Sequence, residues 1–176
     1  MIRVWDPFVR AFHWTLVISF LVCWFSAQVW EDLHAWAGYV AGTLALARVV
    51  WGFVGGGYAR FSQFVRAPRV VLAYLGAIAR GSEARFLGHN PTGGAMIVAL
   101  LAVVAATVAS GYALTTDALW GSAAAQHLHS LIAHGLALLV LAHLAGVALA
   151  SLRHRENLVG AMIFGKKRAP TPEDVA

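Results

Sequence analysis

From Ala11 to Trp30 the chain runs for 20 residues without an Asp, Glu, Lys or Arg, about the length a helix needs to cross the hydrocarbon of a bilayer. Glu31 and Asp32 end that run, and three more follow: about residues 33–55, interrupted only by Arg48, then 93–116 and 126–152. In lipid a backbone must satisfy its own N–H and C=O groups, which a helix does within one segment. The pattern predicts an all-α integral membrane protein, a four-helix bundle in a single domain over residues 1–168 with a polar tail at 169–176. Composition agrees. Hydrophobic residues make up 60% and charged residues 12%, and the mean hydropathy is +0.69, too apolar for an ordinary soluble domain.

The charges fix the orientation. With the N-terminus inside, all thirteen Lys and Arg fall inside or, for Arg48, near the inner face, while the outer links carry Glu31, Asp32 and Asp117 and no base. This obeys the positive-inside rule, so both termini are expected in the cytoplasm of a multi-pass protein. The same asymmetry accounts for the net charge of +5 and removes any need for a nucleic-acid partner. The one sizeable loop, 58–90, holds Arg60, Arg66, Arg69, Arg80 and Arg85 against Glu83. Within it, PRVVLAYLGAIAR from Pro68 predicts a short amphipathic helix lying on the lipid surface between spans two and three. Gly38-x-x-x-Gly42 in the second span permits close approach of a neighbouring helix or a flat ligand. The single cysteine, Cys23, allows no disulfide within one chain and reads as a packing residue. The N-terminus resembles a signal sequence, but its apolar core is long and no small-x-small cleavage site follows, so it is expected to persist as a span. The tail beyond Arg168 is polar and is expected to fray.

Eight histidines stand in this apolar chain, and imidazole within hydrocarbon generally serves function. His129 and His143 are 14 residues apart in the fourth span, which leaves them about 40° apart around a helix and about 21 Å apart along it. Depth matches each to a histidine on another span: His13, near the inner end of the first, with His143, and His34, at the outer start of the second, with His129. A lone intramembrane histidine can be mere interhelical glue, but two pairs at matched depths ask for more. A haem iron takes two axial ligands on opposite sides of a flat ring, whereas zinc or copper usually wants three or four clustered donors. Two b-type haems, stacked across the membrane, match this pattern. His127 and His134 diverge from His143 by about 160° and 180° and are assigned to interface bonding, and His89 reads as a surface histidine. His154 suits either an interfacial anchor or a role near a quinone or an inner-side redox partner. Arg48 lies 14 residues after His34 and so beside the inner pair. It suits a haem propionate as well as it suits snorkelling toward the inner surface. Arg10, beside His13, offers the same carboxylate-binding role.

Taken together, Trp5-Asp6-Pro7, Phe12-His13-Trp14, His34-x-Trp36-x-Gly38-Tyr39, Gly88-His89-Asn90-Pro91, His129, His143-x-x-Gly146 and His154-Arg155-Glu156-Asn157-Leu158 resemble the bacterial cytochrome b561 family, which includes the b-type cytochrome subunits of nickel-iron hydrogenases. The resemblance covers about residues 3 to 168. It implies a four-helix bundle of the bacterial inner membrane with two b haems, ligated by His13, His34 and two histidines of the fourth helix that match His129 and His143. It also implies electron exchange with the quinone pool. Partners in the family include hydrogenase and a periplasmic c-type cytochrome, and some members oxidise superoxide with ubiquinone. The expected function is electron transfer across or within the membrane. A non-haem metal transporter would ordinarily need carboxylates inside the spans, and every Asp and Glu lies outside them.

Overall fold

The computed structural model describes residues 1–175. Its helices are α1 (Pro7–Ser26), α2 (Glu31–Val54), α3 (Phe61–Phe64), α4 (Pro68–Arg80), α5 (Pro91–Ala113), α6 (Ala123–Arg153) and α7 (Leu158–Phe164). Helices α1, α2, α5 and α6 are long and apolar enough to cross a membrane, so the protein is an all-α, four-span membrane protein. To this the fold adds one short antiparallel pair, β1 (Ile2–Arg3) with β2 (Lys166–Lys167), in register Ile2 with Lys167.

Each of the four long helices starts a few residues before its expected span, and in three of them a cap explains why. Asp6 accepts the Val9 amide at 2.8 Å ahead of Pro7, and Asn90 accepts the Gly93 amide at 2.6 Å ahead of Pro91. Ser122 accepts the Ala125 amide at 3.3 Å. A side-chain oxygen before the first turn satisfies an orphan N–H, and proline in that turn sacrifices no bond. Charge marks where hydrocarbon begins; the cap marks where the helix does. Helix α4 forms where the amphipathic pattern places it. Its Tyr74 is buried and donates to the Ala84 carbonyl at 2.7 Å, while Leu72 and Leu75 are exposed in the manner of an interfacial helix.

The chain forms two compact units. One comprises Met1–Arg10, Val50–Ala99 and the chain from Ala142 onward; the other comprises Ala11–Val49 and Leu100–Leu141. In the first, Val4, Trp5 and Ala161 make a small core with Ile2, Tyr58 and Met162. Beside the chain ends lies a buried ionic cluster. Arg85 pairs with Glu156 at 2.6 Å and with Asp174 at 2.5 Å, and Lys167 pairs with Glu156 at 3.2 Å. Lys167 also donates to the Phe86 and Leu87 carbonyls. The tail does not fray as its composition suggests: the Val175 amide donates to the Arg85 carbonyl and the Leu87 amide to that of Val175. A polar tail becomes ordered when it carries the counter-charge, here Asp174, for a buried arginine.

In the second unit Ala45, Val104 and Leu136 form the core, with Leu16, Phe20, Leu101, Val108 and Val140 packed around them. A Cβ on Gly42 would stand 2.8 Å from Val108 Cγ1, so α2 and α5 approach closely there. Of the Gly38-x-x-x-Gly42 pair, only Gly42 makes that contact; a Cβ on Gly38 would meet no atom within 4 Å.

Candidate functional site

Helix α6 is continuous over Ala123–Arg153, so the helical phase of its histidines is preserved along it. His129 and His143 are half-buried on the same stripe as the buried Leu136, whereas His127 and His134 are exposed. The His134 ring stays on its own helix, Nδ1 lying 2.7 Å from the Ser130 carbonyl, with Trp24 edge-on at 5.5 Å.

His34 and His129 come together in the second unit. Their ring centroids are 6.2 Å apart with planes at 87°. A metal–imidazole bond of about 2 Å, plus roughly 1.1 Å from nitrogen to ring centre, would put two trans imidazole centroids about 6.2 Å apart. The pair therefore has the spacing of two axial ligands on one metal ion.

The hydrogen bonds at the opposite edge of each ring decide which nitrogen is left for a metal. His34 sits in the first turns of α2, and its Nδ1 lies 2.9 Å from the Cys23 carbonyl. Cys23 is in the last turn of α1, where carbonyls have no intrahelical partner. A carbonyl only accepts, so Nδ1 carries the proton and Nε2 keeps its lone pair. The Cys23 thiol returns a long contact of 3.7 Å to the His34 carbonyl. On His129, Nδ1 lies 2.9 Å from Ser110 Oγ of α5. That hydroxyl donates to the Thr107 carbonyl at 2.9 Å, which leaves it to accept from His129, and again Nε2 is free to ligate. Ligating histidines are commonly held this way, the second nitrogen donating to an acceptor that fixes tautomer and orientation.

His13 is a half-buried residue of α1 with Trp14 edge-on at 5.2 Å. His143 belongs to the first unit and His13 to the second. Arg48 is 3% exposed, a guanidinium enclosed by protein rather than extended to solvent. Arg10 donates through Nη2 to the Ile163 carbonyl at the end of α7, a helix C-terminus that favours a cation. His89 is not a surface residue: it is half-buried between Trp5 at 4.5 Å and Phe64 at 5.1 Å. His154 is half-buried.

Composition and spacing gave no sign of the Cys23 carbonyl, of Ser110, or of the Arg85 cluster. Helix α5 has no histidine, although Ser110-Gly111 stands near its end. The Arg85 cluster lies outside the spans. Burial alone would raise the Glu156 carboxyl, but the Arg85 hydrogen bond and the Lys167 charge outweigh it and hold the group below the ordinary glutamate range. Burial pushes the Lys167 ammonium down, with Glu156 partly offsetting it.

Four apolar spans and a facing imidazole pair define a haem-type membrane protein. A family model described as prokaryotic cytochrome b561 matches residues 4–165, and the chain belongs to that family. It is a multi-pass b-type cytochrome of the bacterial inner membrane that binds b-type haem and takes part in electron transfer. Quinone and redox partners in general go with that family. No curated protein and no solved structure matches the chain.

Proposed function

We propose that the protein is a di-haem cytochrome that passes electrons between a redox partner and the quinone pool. His34 and His129 hold one haem; His13 and His143 hold the other. The observation that carries this reading is the 6.2 Å separation of the His34 and His129 rings, together with acceptors that tie both Nδ1 atoms and leave both Nε2 atoms for iron. His143 supports the second pair through its place on the His129 stripe of α6, and His13 through its half-buried position in α1. Bound haem supplies a one-electron ferric/ferrous couple, and two imidazole ligands close the iron to other molecules. Arg48, enclosed and cationic, suits a propionate of the His13–His143 haem; Arg10 is the second candidate for that role. The redox partner is a c-type cytochrome or a hydrogenase, and superoxide oxidation coupled to quinone is the alternative activity for the same pair of haems.

The test is haem content and visible spectrum of the purified protein and of four alanine variants. His34→Ala and His129→Ala are each expected to lose the same one of two haems, and His13→Ala and His143→Ala the other. A colourless wild type, or variants that keep both haems, would overturn the assignment.

A further inference from the structure

Resting on the reading that His129 ligates a haem iron, we infer that Ser110 is the positioning residue that aims and tunes this ligand. Three observations converge on it. The Ser110 hydroxyl is committed as a donor to the Thr107 carbonyl at 2.9 Å, and toward the imidazole it acts only as an acceptor, 2.9 Å from Nδ1. The Thr107 carbonyl belongs to the main chain, so the acceptor is anchored in the α5 backbone. The adjacent Gly111 lies against the same ring: a Cβ there would stand 3.1 Å from His129 Cε1 and 3.5 Å from Nδ1. A hydrogen bond on one atom and a wall along the ring edge together fix rotation about the Cβ–Cγ bond, which is otherwise soft. The histidine-free α5 thus sets the orientation of a ligand carried by α6.

The opposite ligand is held differently. His34 donates to a main-chain carbonyl, that of Cys23, which no side-chain substitution removes. Ser110 is therefore the one side-chain acceptor in the two contacts. An acceptor on Nδ1–H makes the imidazole more basic at Nε2. Greater basicity favours the ferric ion and lowers the midpoint potential, so loss of the hydroxyl should raise it. The angle between the two ring planes, 87° here, governs the spread of the ferric g values, which gives a readout of orientation apart from potential and activity.

The experiment uses haem-loaded protein in detergent, comparing wild type with Ser110→Ala, Ser110→Thr and Gly111→Ala by redox titration and low-temperature EPR. Ser110→Ala is expected to keep both haems, to raise one midpoint potential while the other stays, and to move the g values of that same haem. Ser110→Thr, which retains a hydroxyl, should stay near wild type. Gly111→Ala should move the g values more than the potential, since it presses on the ring but leaves the hydrogen bond. Haem-replete Ser110→Ala with wild-type potentials and g values overturns the inference and leaves the haem reading standing. Should Ser110→Ala lose a haem, retention by Ser110→Thr supports the inference and loss in both overturns it. A wild type without b-type bands overturns both readings at once.

Discussion

The two compact units bury their polar groups in different ways. In the first, Arg85, Lys167, Glu156 and Asp174 are enclosed as two cations and two anions, with side-chain exposures of 4–6%. In the second, Arg48 apart, the buried polar side chains are neutral, Ser19 donating to the Thr15 carbonyl and Ser26 to that of Val22, and the half-buried His34 and His129 lean on the Cys23 carbonyl and the Ser110 hydroxyl. The contrast follows from what each sequence region supplies. Span residues offer few charges, so a donor there finds a helix carbonyl or a hydroxyl. The loop, α7 and the tail are rich in both signs, so burial there proceeds by pairing. Neutral bonds hold imidazoles at a set orientation; ion pairs hold chain ends together.

The largest effect expected from breaking this contrast comes from Arg85→Ala. It removes the cation that Glu156 and Asp174 share, leaving Glu156 with Lys167 as its remaining ion pair, and should lower the melting temperature in detergent substantially. The visible spectrum of the haem on His34 and His129 should survive at room temperature; if it is lost in parallel, the two regions do not behave separately. Next, Gly42→Val in the second unit forces Val108 aside and should cost about 1–3 kcal/mol by overpacking, read from the same melts. Asp6→Ala removes the α1 cap and the acceptor of the Trp51 indole at 3.2 Å, and a loss of about 1 kcal/mol is expected.

Acid is the gentlest perturbation. Because the folded Glu156 pKa lies below the ordinary value of 4.5, its stabilisation is present above that value and is lost as pH falls through the lower, folded one. The Arg168 amide, which donates to Glu156 at 3.0 Å, should then exchange hydrogen faster, while amides beside His129 in α6 keep their protection.

Much of this was legible in the sequence. Apolar length gave the spans, and periodicity gave α4 and the stripe that sets His129 and His143 apart from His127 and His134. Depth matched His34 to His129, whose rings stand 6.2 Å apart. Elsewhere local pattern misled. Polarity made the tail look loose, yet it is held through Asp174. His89 reads as a surface residue, yet it is half-buried between Trp5 and Phe64.

The sequence by itself determined what a helix in lipid must be, because transfer energies and the 3.6-residue repeat act within one segment. Only the tertiary structure decided which atom accepts from each imidazole and which anion meets Arg85. Those partners are 19 residues apart for Ser110 and His129 and 71 apart for Arg85 and Glu156. No local period links them; they meet only once packed elements bring their side chains within hydrogen-bond reach.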